Sequence, residues 1–325
     1  MSTYITLSHL QVQNANCVSG LTYGFPAITH FMGYIHALSR KLQKSHQLTL
    51  EGCAVVCHQH QVHAFRAKEY SEFVFSLTRN PLTRTGAVAP IMEEGKMHMT
   101  VSLVTQCHGA MIGGDEGIAI LEEELQQLCL TQKLAGGVIN QIKSVQVDSV
   151  TAADQQRAFN ARMSRRLLPG FALVDQSAYL EKQRLERQSS EPDVDLFDAW
   201  LDFASLRYKA EPQLEKDETL SDKTKAVWNR IPKPEKGYLV PIMTGYKAIS
   251  PLYDAGEFKD CRDSTVPFRF VEAAYGIGEW KSPHRLNNID EAFWFYQKQE
   301  GWYLCANESV TEDTDEDDDS FDFPY

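Results

Sequence analysis

The densest group of metal-capable side chains lies in the first quarter of the chain and reads Cys53-x3-Cys57-His58-x-His60-x2-His63. Zinc takes four nitrogen or sulfur ligands that converge tetrahedrally. On a β-strand, Cys53, Cys57 and His63 would share one face and the other two histidines the opposite face, which divides the ligand set. No second cysteine pair follows at zinc-finger spacing. We therefore favour a structural role over a zinc site, and we expect no metal or other cofactor.

General acid–base cleavage of RNA is a second chemistry open to these residue types. Histidine suits it because its ordinary pKa is about 6.5. Metal-independent cleavage needs a base near the 2′-hydroxyl and a group that stabilises the phosphate. Tyr23, His30 and Arg79 could supply such a set, but nothing in their spacing brings them together. Catalysis is therefore an alternative to a binding role.

One predicted loop near the N-terminus is rich in side chains that can read single-stranded RNA. The amides of Gln13, Asn14 and Asn16 can pair with base edges. The ring of Tyr23 can stack on a base, which contributes about 1–3 kcal/mol, and the hydroxyl of Thr22 can reach a phosphate. Asparagine and threonine also stabilise turns, so composition alone leaves a purely structural role open.

Basic side chains form three further islands that could contact phosphates. Residues 155–170 hold four arginines and no acid. Two histidines, His30 and His36, lie on the first predicted helix. The islands contain Arg79, Asn80 and Arg84; Arg165 and Arg166; and His284 and Arg285.

Motifs of the common enzyme classes are missing from the sequence. It has no Gly-x4-Gly-Lys-Ser/Thr phosphate loop, no Gly-x-Ser-x-Gly elbow and no His-Glu-x-x-His. The pair Gly276-x-Gly278 is too short for a dinucleotide fingerprint. We predict a turn there, whose backbone approaches another group closely.

The net charge of −12 over 325 residues argues at first against a nucleic-acid partner, because phosphate binding depends on lysine and arginine. Its distribution changes this reading. Residues 311–325 hold eight acids and no lysine or arginine, so the rest of the chain carries −4. Residues 1–110 hold eight basic and five acidic residues, with nine of the ten histidines. We predict a disordered, solvated acidic tail on a locally basic body.

The composition is typical of a folded protein, with 43% hydrophobic and 23% charged residues. No apolar run reaches the roughly 18 residues of a membrane span, and no signal-peptide pattern is visible. Seven scattered cysteines fit a reducing compartment better than a disulfide framework. We expect a cytoplasmic protein without a membrane partner.

Hydrophobic spacing predicts the elements that would position these side chains. It indicates a strand over 4–13, an amphipathic helix over 27–44, β-rich runs that include 96–106, a helix over 116–133 and a further strand. This βαββαβ order is typical of a ferredoxin-like domain, so we predict an α+β fold.

The composition shifts near residue 150, which indicates several parts. We predict a ferredoxin-like RNA-binding core over 1–150, a helical insertion over 151–235 and a β-rich C-terminal part over 236–310 that packs on the core, before the tail. Residues 209–236 are charged and contain three prolines, which predicts an exposed connection.

Specific blocks run in order over roughly residues 5–300. They include Gln13-Asn-Ala-Asn16, Thr22-Tyr-Gly-Phe-Pro26, Leu77-Thr-Arg-Asn-Pro-Leu82, Leu134-Ala-Gly-Gly137, Arg165-Arg-Leu-Leu-Pro-Gly-Phe-Ala-Leu-Val174 and Gly278-Glu-Trp-Lys-Ser-Pro-His-Arg285. Together they resemble the family of Csy subunit two, the tail subunit of the type I-F CRISPR surveillance complex.

The resemblance implies an RNA-binding fold of the repeat-associated (RAMP) superfamily, a modified ferredoxin-like (RRM-type) domain. It implies a non-catalytic subunit that grips the 5′ handle of the CRISPR RNA (crRNA), pairs with the large PAM-reading subunit and touches the terminal backbone subunit. Target DNA is then contacted only indirectly, because guide pairing reads its sequence. The alternative is an endoribonuclease that processes CRISPR repeat RNA.

The resemblance also implies which side chains contact RNA. Outside 165–174, residues 151–235 match the family poorly, and contact with neighbouring subunits is their expected role. The acidic tail matches nothing in the family. The predicted RNA-binding residues are Gln13, Asn14, Asn16, Thr22, Tyr23, His30, His36, Arg79, Asn80, Arg84, Arg165, Arg166, Gly276, Gly278, His284 and Arg285.

Overall fold

The computed structural model describes residues 2–150, 153–213, 225–259, 261 and 263–307. The predicted acidic tail therefore lies outside the described residues. Within them the protein is α+β, as the sequence predicts. None of the described helices combines the length and apolarity that a bilayer crossing requires.

Helices and strands alternate along the described chain, with β1 to β12 in its first half and β13 to β19 in its second. The helices are α1 (Ile28–His46), α2 (Gly114–Leu130), α3 (Ala153–Leu167), α4 (Ala178–Gln188) and α5 (Leu196–Ala204), with 3-10 turns η1 (Pro283–Arg285) and η2 (Ile289–Ala292). Strands of the first half are β1 (Ser2–Asn16), β2 (Val18–Ser19), β3 (Thr22–Tyr23), β4 (Thr49–Val62), β5 (Ala64–Phe65), β6 (Val74–Phe75), β7 (Leu77–Arg79), β8 (Ile91–Glu93), β9 (Lys96–His108), β10 (Lys133–Leu134), β11 (Gly137–Gln141) and β12 (Ser144–Val150). Strands of the second half are β13 (Phe171–Asp175), β14 (Tyr208–Pro212), β15 (Ala226–Arg230), β16 (Leu239–Ala248), β17 (Val271–Lys281), β18 (Phe293–Gln299) and β19 (Trp302–Ala306).

Four long strands organise the central sheet, in the spatial order β12, β1, β9 and β4. Neighbouring strands are antiparallel. Helix α1 connects β1 to β4, and α2 connects β9 to β12. The predicted order of strands and helices is therefore the observed one, with element ends displaced by a few residues.

The alternation along β9 divides the sheet into two faces. Met99 and Val101 belong to the larger core, which α1 and α2 cover. Val104 points to the other face and packs beneath α3. There the ring of Tyr4 stacks on Phe159 of α3, with centroids 4.8 Å apart. Both faces of the sheet are thus buried at this end.

The C-terminal strands close back on the central sheet. One edge of β4 pairs with β9, and its other edge pairs with β18 at Cys53–Ala54 and with β13 at Val56–Cys57. Strands β13, β17, β16, β19 and β18 then pair in succession, so six strands including β4 form a ring. Trp294 is fully buried at this junction, and its Nε1–H donates to the Leu173 carbonyl at 2.8 Å.

Two stretches differ from the sequence-based expectation. Strand β13, within the range 151–235 that was expected to be helical, joins the central sheet. The range 209–236, expected to be a connection, contains part of the exposed hairpin β14–β15. A hairpin exposed on both faces has no hydrophobic alternation, so the usual strand signal is missing.

Residues 63–95 connect β4 to β9, and we call them the arm. The arm carries two short hairpins, β5–β6 and β7–β8. Several large apolar side chains of the arm are exposed, and Tyr70 is 94% exposed. The arm therefore projects from the sheet and contributes little to the core.

Candidate nucleic-acid interface

Aromatic residues of β17 contact the loop between β1 and α1. The Leu21 N–H donates to the Tyr275 hydroxyl at 2.8 Å. Phe25 meets the ring of Trp280 edge to face, with centroids 5.0 Å apart. These contacts fix the base of the loop, so its exposed tip is presented in a defined position.

The loop and the arm form one continuous surface. Tyr23 is 71% exposed and meets Phe75 of the arm edge to face, with centroids 5.6 Å apart. The Cys17 N–H donates to the Gly95 carbonyl at 3.0 Å, which joins the loop to the base of the arm. The Tyr23 ring is therefore oriented by a neighbour and still open for stacking on a base.

Two of the amides predicted for RNA readout are available at the surface. Gln13 and Asn14 are exposed at the end of β1. Asn14 has a left-handed backbone with φ 56°, which asparagine tolerates, and its N–H donates to His98 Nδ1 at 3.3 Å. Both amides thus lie beside β9 and can reach a bound nucleotide.

The other two polar residues of the loop shape the turn. The Asn16 amide donates to the Val18 carbonyl at 2.8 Å and accepts from the Val18 N–H at 3.1 Å. The Thr22 hydroxyl donates to the Ser19 carbonyl at 2.9 Å. Their hydrogen-bonding groups are used within the loop, which favours the structural alternative for these two residues.

The two arginines of the arm carry accessible charge. Arg79 and Arg84 are exposed, and Asn80 between them is half-buried. Neither arginine forms an ion pair with an acidic side chain of the described residues. The loop–arm surface therefore offers amides, an aromatic ring and two guanidinium groups, which are the parts of a single-strand RNA site.

The Arg165–Arg166 pair divides between two roles. Arg166 Nη1 lies 2.6 Å from Asp148 Oδ2 on β12, so its charge is compensated. Arg165 is exposed and donates to the Ala161 carbonyl of its own helix at 3.2 Å.

Helix α3 touches the segment after η1, where Asn160 Nδ2 donates to the Asn287 carbonyl at 3.3 Å. His284 and Arg285 on η1 are exposed.

The two predicted histidines of α1 differ in environment. His36 is exposed. His30 is half-buried, and burial lowers its pKa. Among the described residues no hydrogen bond or ring contact joins Tyr23, His30 and Arg79, so the geometry does not assemble the proposed catalytic set.

The predicted glycine turn is wrong, because Gly276 and Gly278 lie inside the long strand β17. Both are buried. A Cβ atom at Gly276 would lie 2.8 Å from Thr244 Cγ2, and one at Gly278 would lie 2.7 Å from Leu173 Cδ1. Close packing, not a turn, accounts for the glycines. Their predicted contact with RNA stays a prediction.

The expected division of the histidine cluster on β4 is also wrong. A bulge between Cys57 and Gln59 interrupts the alternation. His58 consequently reaches Ser102, whereas His60 pairs with Met99, three residues earlier on β9 and on the opposite face. Among the described residues, no three His, Cys, Asp or Glu side chains converge as a metal site would require.

Sequence reasoning missed a polar patch on the open part of the sheet. Gln11 and Gln59 flank Thr100, and Gln61 lies opposite His98. These side chains and Gln13 line a depression of about 230 Å³. The available signal was the polar half of the β9 alternation, read together with glutamines on both neighbouring strands.

A stacked histidine pair borders this patch. The rings of His9 and His58 are 3.9 Å apart and nearly parallel. His58 Nδ1 lies 2.6 Å from the Pro169 carbonyl, which only accepts, so Nδ1 carries the proton. His58 Nε2 then accepts a hydrogen bond from the Ser102 hydroxyl, 2.6 Å away. The same hydroxyl oxygen accepts from the backbone N–H of His9 at 2.9 Å. The network suits a neutral His58.

This network predicts a pH-dependent stability. Burial lowers the pKa of both His9 and His58. At His58 the hydrogen bond to the Pro169 carbonyl opposes this shift in part, and the charge of Lys143 lowers the pKa of both histidines further. The unfolded chain therefore binds protons from about pH 6.5 downward, where the folded chain does not, and the free energy of unfolding falls as the pH drops. His58→Gln should lessen the fall between about pH 7.5 and about pH 5.5 in urea titrations. His36→Gln, on the exposed face of α1, is the control, and an unchanged fall in His58→Gln would contradict this reading.

Two comparisons with known proteins agree. A family model described as "CRISPR-associated protein (Cas_Csy2)" matches residues 5–305. The chain is also 37% identical, over 304 residues and 91% of each chain, to "CRISPR-associated protein Csy2" of Pseudomonas aeruginosa (strain UCBPP-PA14). The chain belongs to the Csy2 family of CRISPR-associated proteins.

Proposed function

We propose that the chain is a non-catalytic, RNA-binding subunit of a type I-F CRISPR surveillance complex in antiviral defence, and that it binds the 5′ handle of the crRNA. The observation that carries this proposal is the joined loop–arm surface. It combines exposed amides at Gln13 and Asn14, the open ring of Tyr23 and the exposed guanidinium groups of Arg79 and Arg84.

The fold of this subunit is, in our proposal, a modified ferredoxin-like domain of the RAMP superfamily. The spatial order β12, β1, β9, β4 places the fourth, first, third and second strands of the βαββαβ unit side by side. The helical insertion and the β-rich C-terminal part, beginning near residues 151 and 236, are additions to that core.

The proposed partners are the large PAM-reading subunit and the terminal backbone subunit, with target DNA reached only through the guide. Exposed apolar side chains on the arm and on the hairpin β14–β15 support such contacts, with Tyr70 94% and Trp228 68% exposed. A cytoplasmic location fits the seven cysteines, which are free thiols.

Assembly with the other complex subunits tests the proposal. The chain, co-expressed with them and with a CRISPR array, should elute in one size-exclusion peak that contains intact crRNA, and omitting the chain should release the handle to nuclease digestion. A complex that protects the handle equally without this chain would overturn the proposal.

The endoribonuclease alternative is tested on the purified chain alone. Purified chain should then shorten repeat RNA in the absence of other subunits, and His30→Ala should abolish that activity. Repeat RNA that stays intact over hours supports the non-catalytic role. We expect this result, because the half-buried His30 has no described contact with Tyr23 or Arg79.

A further inference from the structure

We propose that the polar patch on the open sheet binds the edges of unstacked RNA bases. This inference rests on the proposed function and names where the bases, as distinct from the phosphates, are recognised. The patch has two rungs: Gln11, Thr100 and Gln59 pair across β1, β9 and β4 in the first, and His98 and Gln61 pair across β9 and β4 in the second. Gln13, at the irregularity of β1 that follows Val12, lines the same depression. We call these six residues the base bed.

The chemistry of the base bed selects base edges over phosphates. No lysine, arginine, aspartate or glutamate lines the depression. Each glutamine amide has two N–H donors and a carbonyl acceptor, and such amides pair with the mixed donors and acceptors of a base edge. A phosphate site would instead need cationic side chains. The four glutamines are exposed, so their hydrogen-bonding groups are open to a ligand.

The base bed is open because α3 stops before it. Further along the same face, Val104 is buried under Met163 and Leu167 of α3. The chain then leaves the helix, and the Pro169 carbonyl meets His58 at the border of the bed. On this face of β9, Ser102 is still covered and is fully buried. Thr100 and His98, nearer the start of the strand, are half-exposed.

The base bed adjoins the loop–arm surface. The Asn14 N–H donates to His98 Nδ1, which ties the second rung to the loop. The rings of His98 and His63 meet edge to face with centroids 4.2 Å apart. The His63 carbonyl accepts from the Ser76 N–H at 3.1 Å, at the base of the arm. A strand whose phosphates contact the arm can therefore turn its bases onto the bed.

The geometry also limits the occupant. The depression of about 230 Å³ lies over the faces of paired strands, whose backbone groups are already hydrogen-bonded to each other. An added protein strand could not extend the sheet there, because it would need a free edge. Unstacked bases that turn their edges toward the amides need no free backbone groups, so they fit this surface.

Abasic replacement of each handle nucleotide, one at a time, tests the base bed in the intact complex. The variant Gln59→Ala/Gln61→Ala removes the amides of one strand, and Gln43→Ala/Gln127→Ala on exposed helix positions is the matched control. The bed variant should bind the intact handle about tenfold more weakly or worse, the loss expected for one bidentate base contact. At one or two handle positions, an abasic site should weaken the parent and leave the bed variant unaffected.

The salt dependence separates this inference from the proposed function. The slope of log Kd against log salt should be equal in the parent and the bed variant, because no phosphate contact is removed. Equal abasic penalties in both proteins, or loss of a protein subunit from the bed variant, would overturn the base bed while handle binding persists. If the parent complex itself does not bind handle RNA, the proposed function fails first.

Discussion

Replacing Trp294 by alanine is expected to lower the free energy of unfolding by about 3–5 kcal/mol. The side chain is fully buried on β18, where the ring of strands joins β4 opposite Cys53. Alanine would leave a cavity between two parts of the sheet. It would also leave the Leu173 carbonyl without the indole donor at 2.8 Å. The loss should appear as a lower urea midpoint followed by circular dichroism.

Two further variants separate the loss of the hydrogen bond from the loss of packing, and a buried tryptophan from an exposed one. Trp294→Phe keeps most of the ring and removes the donor, so it should cost about 1–3 kcal/mol for the unpaired buried carbonyl. Trp228→Ala, at a side chain that is 68% exposed on β15, should stay within about 0.5 kcal/mol of the parent. A Trp294→Ala protein as stable as Trp228→Ala would show that the ring of strands does not close at β4.

Removing the two arm arginines is the second large effect expected. Arg79→Ala/Arg84→Ala should weaken handle binding about 100-fold or more, because each charge-assisted hydrogen bond contributes about 1.5–3 kcal/mol and the variant removes two of them. The slope of log Kd against log salt should fall by about 0.7 for each phosphate contact that is lost. Fluorescence anisotropy with labelled handle RNA at several salt concentrations measures both quantities.

Arg166→Ala is the matched control for the arm variant. Its guanidinium is half-buried and paired with Asp148, so its removal should lower stability and leave the salt slope unchanged. Arg162 stays within 3.7 Å of the same carboxylate and should limit the loss of stability. If Arg166→Ala changed the slope as much as the arm variant, RNA would contact α3 in preference to the arm.

The core of the fold could be predicted from local pattern. The alternation of Met97, Met99 and Val101 with polar neighbours gave β9 its correct place, and the helical spacing of Phe31 and Ile35 gave α1. The closure of the ring could not be predicted. The partners of β4 come from residues about 120 and 240 positions later in the chain, and no local signal specifies such a pairing.

The candidate site was predictable in residue type but not in accessibility. Asn16 and Thr22 have the chemistry to read RNA, yet their groups bond within the loop. Arg166 has a charge, yet its partner Asp148 is eighteen residues earlier. The base bed was missed because a bulge at Cys57–Gln59 resets which side chains share a face, and a bulge leaves little trace in composition.

Photo-cross-linking of the assembled complex tests the central claim most directly. A crRNA with 4-thiouridine at each handle position in turn would be irradiated, and the attached peptides identified by mass spectrometry. We expect cross-links from the handle to this chain, in peptides that contain Gln13, Tyr23, Gln61 or Arg79. Cross-links from every handle position to other subunits alone would contradict RNA binding by this protein.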